Sequence, residues 1–250
     1  MLRIYLTSQV RVENGETLLR ERDLPGRQGR TVLAMLVAER DRPVTRDELA
    51  AELWPDEAPP AWEKAVMALI SKLRAALRRA GLEESALETA FGCYQLRLPA
   101  DTWVDVEAAA DGVHRAEVAL AADDPRTACP WAYVAFFVGR RPFLAGEEGP
   151  WARRRRGQLR ELYLRALDCA VEGNAAYGDL AEAVQVGEEA LMLEPFREST
   201  YRKLMRVQAD AGNRAEALRT YQRCCTVLSE ELGVPPSAET QAVYLAVVQA

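Results

Sequence analysis

The sequence predicts a mainly α protein in two parts: an N-terminal part in which short strands frame three helices, and a C-terminal all-α array of helical hairpins. Three observations carry that reading. Apolar residues alternate with polar ones only near the start, at Leu2, Ile4 and Leu6 and again at Val10 and Val12, which is the period-2 pattern of a half-buried strand. Helical spacing replaces it after Leu24-Pro25-Gly26. Beyond Val104 the chain is alanine-rich without a convincing strand, and Gly178-Asp179-Leu180-Ala181-Glu182-Ala183 matches Gly212-Asn213-Arg214-Ala215-Glu216-Ala217 at an offset of 34 residues, the period of a tetratricopeptide helix-turn-helix unit.

The alternating run over residues 2–12 is expected as one strand, with Asn14-Gly15 as a tight turn and residues 16–24 as the returning partner. Val32, Leu33, Leu36 and Val37 then mark one face of a first helix that ends near Asp41-Arg42-Pro43. Thr45 opens the second. Its hydroxyl caps a backbone N–H while Glu48 reaches back, a capping box ahead of Leu49 and Leu53. The acidic link Asp56-Glu57-Ala58-Pro59-Pro60 leads to a third helix running to about Ala80, with Gly81 as its C-terminal cap. Extended pieces at 87–89 and 94–98 flank Phe91-Gly92-Cys93 as a hairpin. Helix, short capped helix, longer basic helix and hairpin, in that order, make the plan of a winged helix-turn-helix, with a small β-sheet before it and the hairpin as wing. The domain boundary is expected near 99–102, giving a winged-helix domain over 1–100 and a tetratricopeptide-like array over 101–250. Breaks near 123–125, 139–150, 173–179, Pro195, 212–213 and 233–236 divide the array into hairpins. Ala190 and Pro195 fall where such a unit places a small residue and a helix stop.

On the third helix Val66, Leu69, Ile70, Leu73 and Leu77 form one stripe that should face the core. The opposite side presents Lys64, Ala68, Ser71, Lys72, Ala75, Arg78 and Arg79, with Arg74 and Met67 at its flank. Small residues permit close approach to a duplex, and Lys or Arg reach phosphates and guanine edges. A solvated helix face is the plain alternative. The order of elements favours double-stranded DNA.

Bulk properties temper this. The net charge is −6; residues 1–100 hold 15 Lys and Arg against 15 Asp and Glu, and the remainder 17 against 23, so any footprint on DNA is a local patch. The densest basic run, Arg153 to Arg156, spans more than a helical turn and cannot all face one partner. Trp131, Tyr133, Phe136 and Phe137 form the strongest aromatic cluster, read as packing between hairpins or as the wall of a small-molecule pocket. Five cysteines without CxxC spacing read as reduced thiols; Cys224-Cys225 is the one pair that could sense an oxidant or take a soft metal. No leader or membrane-length apolar run is apparent, and a cytoplasmic location is expected. His114 is the only histidine, and no nucleophile motif accompanies it. Neither catalysis nor a cofactor is expected.

Gly29-Arg30, Val44-Thr45-Arg46-Asp47-Glu48-Leu49, Leu53-Trp54, Pro59-Pro60, Ile70-Ser71-Lys72-Leu73-Arg74, Thr89 and Tyr94-Gln95-Leu96 together resemble the OmpR-type winged helix of SARP-family activators (Streptomyces antibiotic regulatory proteins). Glu194-Pro195-Phe196-Arg197-Glu198, Tyr201-Arg202, Leu204-Met205, Ala215-Glu216-Ala217-Leu218, Tyr221 and Glu230-Glu231-Leu232-Gly233-Val234-Pro235-Pro236-Ser237 resemble their bacterial transcriptional activation domain. The resemblance implies binding to promoter direct repeats as a dimer or side-by-side pair, and recruitment of RNA polymerase through its sigma factor. It places Ser71, Lys72 and Arg74 on DNA from the recognition helix and Thr89 from the wing, beside Lys64 and Arg78 from the basic face. Asp56-Glu57 falls where such proteins touch polymerase. Three departures stand out. Cys93 replaces the glycine before the wing tyrosine, Lys64, Ala65 and Met67 replace polar positions, and no GxxxxGK loop occurs, so the likeness is to the short form. The competing expectation is a ligand-sensing or protein-interaction module that keeps the winged helix as scaffold, with a small-molecule effector as partner.

Overall fold

The computed structural model describes residues 1–249. Packing divides the chain into two compact units. The first takes Met1–Ala108 together with Arg140–Leu159; the second takes Ala109–Gly139 and the chain from Arg160 on. The units therefore do not follow a single cut near residue 100.

The first unit opens with β1 (Leu2–Tyr5), β2 (Arg11–Asn14) and β3 (Thr17–Leu19). The alternating run over 2–12 is not one strand. Ser8 takes a positive φ of 66° and folds the run on itself, so that β1 pairs antiparallel with β2 in the register Ile4↔Val12. Asn14-Gly15 is the expected turn, but it joins β2 to β3 (Asn14↔Thr17). The apolar alternation survives the fold-back because Leu2, Ile4, Leu6, Val10 and Val12 all still point into the core.

Next come α1 (Gly26–Ala38), a two-residue strand β4 (Val44–Thr45), α2 (Arg46–Leu53), α3 (Trp62–Arg79), and the wing strands β5 (Leu87–Ala90) and β6 (Cys93–Leu96). The capping box of α2 forms as read. Thr45 Oγ1 accepts from Glu48 N at 3.1 Å, and Glu48 Oε2 accepts from Thr45 N at 2.8 Å. β4, too short to show in the sequence, pairs with β6 (Thr45↔Cys93) and makes the wing a three-stranded sheet. A last short strand, β7 (Trp103–Val104), adds parallel to β1 (Ile4↔Val104). Directly after it the fully buried Asp105 carboxylate accepts from Leu6 N (2.9 Å), Thr7 N (3.0 Å), Thr7 Oγ1 (2.7 Å) and Val106 N (2.8 Å).

Residues 140–159 complete this unit. Phe143, Leu144 and Trp151 are buried in the same core as α1 and α3, and the rings of Phe143 and Trp151 lie 5.8 Å apart. Trp151 is thus separate from the aromatic cluster at 131–137. Glu147 binds Arg27 Nε at 2.9 Å and also pairs with Arg30, while Trp151 Nε1 donates to Glu39 at 2.9 Å. Glu52, at the end of α2, is buried and accepts from Trp151 N (2.7 Å) and Ala152 N (3.2 Å). These are open amides of the first turn of the next long helix. Gly149 makes room for that carboxyl group: a Cβ there would stand 2.2 Å from the Glu52 carboxyl carbon. The arginine run divides accordingly. Arg156 donates to Leu144 O and Glu147 O, whereas Arg153 and Arg154 are exposed.

The helices that build the second unit are α4 (Asp105–Ala121), α5 (Pro125–Gly139), α6 (Pro150–Tyr177), α7 (Leu180–Leu193), α8 (Glu198–Asp210), α9 (Arg214–Leu232) and α10 (Ala238–Gln249), of which α4 and α6 begin in the first. Ala183 and Ala217, equivalent positions of the 34-residue repeat, are both fully buried. Close approach of α7 and α8 depends on Gly187, where a Cβ would meet Leu204 Cδ2 at 2.5 Å. Buried Asp168 accepts from Arg197 Nε and Thr200 Oγ1, each at 2.9 Å, which gives the Glu194-to-Glu198 motif its anchor. Glu198 in turn accepts from Ser237 N (2.8 Å) and Ser237 Oγ (2.7 Å) at the start of α10. Tyr133, Phe136 and Tyr163 pack ring against ring (5.2 and 5.8 Å) in this core. Cys224 is fully buried, and burial pushes its thiol up to about 12, so it carries almost no thiolate near neutral pH. No helix among the described residues is long and apolar enough to cross a membrane.

Burial also raises the Glu52 pKa above its ordinary 4.5, outweighing the two amide hydrogen bonds that lower it. A carboxylate raised in the folded state is most favourable to folding at low pH, and that contribution fades as the pH climbs from the unfolded value through the folded one. The urea midpoint of the wild type, measured against Glu52→Gln, should therefore fall progressively from about pH 4.5 upward. A rising difference would reverse the assigned shift.

Candidate nucleic-acid interface

The third helix α3 separates its faces as the spacing predicts. Val66, Leu69, Ile70, Leu73 and Leu77 are buried, joined by Ala76, while Lys64, Ala65, Met67, Ala68, Ser71, Lys72, Ala75, Arg78 and Arg79 are exposed. The exposed surface is narrow and small at its centre, with Ala68, Ser71 and Ala75 leaving no bulk to hold a duplex away. Lys64 and Lys72 make no hydrogen bond or ion pair among the described residues. Arg78 has one exposed contact, to Glu84 at 3.3 Å, of the kind worth about 0–1 kcal/mol. Arg79 donates to Asp23 O at 3.2 Å. Lys72, Ala75, Arg78 and Arg79 form one wall of an open depression whose other wall is Asp23-Leu24-Pro25.

Arg74 behaves differently from the other predicted contacts. Its Nε and Nη2 donate to Leu87 O (3.1 and 2.9 Å), and Nη2 also donates to Thr89 Oγ1 at 2.5 Å. The structure thus joins two expected DNA contacts, Arg74 and Thr89, to each other. This guanidinium ties the wing to α3. Charge-assisted hydrogen bonds of this type contribute about 1.5–3 kcal/mol.

The wing itself is stiff. With Ala90 paired to Cys93, its loop is the two residues Phe91-Gly92, both at positive φ (50° and 77°), the geometry of a type I′ turn. Gly92 O accepts from Arg46 N at 3.2 Å, fastening the tip to the start of α2. Cys93, which stands where the resemblance leads one to expect glycine, lies in extended β6 opposite Thr45. The positive φ falls one residue earlier, on Gly92, so the substitution leaves the turn intact.

Phe91 is the feature that the sequence reading passed over. Its side chain is 105% exposed, and as a bulky residue in the left-handed region it costs about 1–2 kcal/mol. The signal was present: two strand-forming runs separated by a turn dipeptide require positive φ at the first loop position, where Asn or Asp is usual.

Comparison with known proteins agrees with this architecture. The family model "Transcriptional regulatory protein, C terminal" matches residues 24–93, and "Bacterial transcriptional activator domain" matches residues 104–248, more than half of the chain. The regulatory protein AfsR of Streptomyces coelicolor is 31% identical over 223 residues, covering 89% of this chain and 22% of AfsR. EmbR of Mycobacterium tuberculosis is 31% identical over 226 residues, covering 86% of this chain and 55% of EmbR. The chain thus spans about a fifth and about half of these relatives. The solved structure of Mycobacterium tuberculosis EmbR in complex with a low-affinity phosphopeptide superposes with a TM-score of 0.84 at 25% identity, covering 99% of this chain and 65% of that one. An OmpR-type winged helix followed by a bacterial transcriptional activator domain defines a transcriptional regulator. Within that class, the chain belongs to the SARP family.

Lys72 and Arg74 should separate cleanly on mutation. Lys72→Ala is expected to leave the urea midpoint almost unchanged, within about 0.5 kcal/mol, and to lower the slope of log affinity against log salt by about one. Arg74→Ala is expected to destabilise the fold by about 1–3 kcal/mol, through the lost wing contacts. Equal stability of the two variants would remove the bracing role of Arg74.

Proposed function

We propose that this protein is a sequence-specific DNA-binding activator that pairs on direct repeats near a promoter and recruits RNA polymerase through its sigma factor. One observation carries the reading: α3 buries a continuous apolar stripe and leaves a small, basic face, with Lys64 and Lys72 unpaired among the described residues, beside a braced wing. That combination matches what a recognition helix needs to enter a major groove. Lys64, Ser71 and Lys72 are assigned to the groove and its phosphates, Arg78 to the adjoining backbone, and Arg74 with Thr89 to the junction of helix and wing. The exposed link Asp56-Glu57 between α2 and α3 is assigned to polymerase. A homodimer on DNA, one copy per repeat, fits the same reading, since a single recognition helix reads only a half-site.

The decisive experiment is selection from a random duplex library at physiological salt, with wild type beside a Lys64→Glu/Lys72→Glu variant. Both positions are exposed and unpartnered, so the reversal spares the fold; Arg74 is left intact because its loss would free the wing. An enriched repeat that the variant fails to bind is the expected result. Absence of enrichment, or equal enrichment by both proteins, would overturn direct promoter recognition.

A second reading, a ligand-sensing or protein-interaction module, has one feature in its favour. α8 and α10 leave an open groove floored by Ala209, Ala242, Val243, Ala246 and Val247 and rimmed by Arg206, Asp210 and Glu239. If it serves a small-molecule effector, native mass spectrometry of the purified protein should show an added mass that Val243→Arg abolishes. A bare protein mass, identical in both, would speak against an effector at this groove.

A further inference from the structure

The two internal side chains of the first unit that are both large and apolar and more than half exposed are Met67, at 51% on the outer face of α3, and Phe91, at 105% on the wing tip. Met67 is half covered by the fold, whereas Phe91 is not covered at all. For Phe91 the backbone compounds the disadvantage, since its φ of 50° is one that a bulky side chain rarely adopts. Exposure and strain at one residue are accounted for when the ring is used elsewhere. The ring is also presented rigidly. The tip is held at Gly92 O by Arg46 N, and the base of the wing at Leu87 O and Thr89 by Arg74. A phenyl group with two rotatable bonds on a braced turn loses little freedom when it inserts.

Resting on the DNA-binding reading above, we infer that Phe91 is a wedge. With α3 in the major groove, the wing tip enters the flanking minor groove, and the Phe91 ring inserts between adjacent base pairs there and kinks the duplex. An apolar ring fits this use and does not fit phosphate gripping, because it has no donor for a phosphate oxygen, whereas apolar side chains unstack base steps from the minor-groove side. The step it enters is a flexible pyrimidine–purine step, which unstacks at least cost. Part of the sequence preference therefore lies outside the half-site read by α3.

The test uses Phe91→Asn in the full chain. Asparagine is favoured at the first position of a type I′ turn, so the variant keeps or raises the thermal midpoint while losing the ring. The duplex is the one that the wild type enriches, with 2-aminopurine placed in turn at each position flanking the half-site. Wild type is expected to raise fluorescence at one step, and replacing that step by an A-tract should weaken its binding. Phe91→Asn should bind about tenfold more weakly, give no fluorescence change, and keep the wild-type salt slope because no charge has been removed. If wild type and variant bind the enriched duplex with equal affinity and equal fluorescence, the wedge is wrong and the regulator reading stands. If the wild type enriches no duplex, both fall together.

Discussion

The first unit depends on a carboxylate in an unusual place. Glu52 lies at the C-terminal end of α2, buried, with the amides of Trp151 and Ala152 donating to it from the first turn of α6. Desolvating a carboxylate is costly unless it is hydrogen-bonded. The first turn of a helix has open N–H groups that need acceptors and a positive partial charge that favours an anion. The amides offset part of that cost, and a segment almost a hundred residues downstream becomes part of the core of the first unit. Glu147 with Arg27 and Arg30 repeats the arrangement on α1, and Asp105 repeats it at the end of β1. In all three cases a carboxylate joins pieces that are distant in sequence. Apolar packing alone would leave their register loose.

The same economy governs the outer face of α3. Only Arg74, among the cations of α3, is braced on both the wing carbonyl of Leu87 and the hydroxyl of Thr89, and it joins the helix to the hairpin. Lys64 and Lys72 stay unpaired among the described residues, whereas Arg78 meets Glu84 and Arg79 meets Asp23 O. Alanine and serine keep the centre of that face low.

Much of this was legible in the sequence. The stripe Val66, Leu69, Ile70, Leu73 and Leu77 fixed which side of α3 is buried, the Thr45–Glu48 pair located the start of α2, and the 34-residue offset paired Ala183 with Ala217. What escaped has a physical reason in each case. The alternation over 2–12 is blind to a fold-back at Ser8, because a reversed strand keeps the same side-chain parity. β4 and β7 are two residues long and exist only through their partners. Residues 140–159 read as a break with an arginine run, since nothing local reveals that Glu147 and Trp151 belong with α1 and α2. The role of Arg74 was hidden for a similar reason: a cation on a helix flank looks the same whether it reaches DNA or a neighbouring carbonyl.

The discontinuity of the first unit in sequence also sets an order of events during synthesis. A nascent chain that has emerged as far as β7 still lacks Phe143, Leu144 and Trp151 from its core, together with the acidic partner of Arg27 and Arg30. At ordinary elongation rates the missing stretch arrives roughly 3–11 s later. Through that interval the winged helix lacks these partners, while the helical hairpin over 105–139 is emerging. The chain thus begins the second unit, with α4 and α5, before it has supplied the last segment of the first.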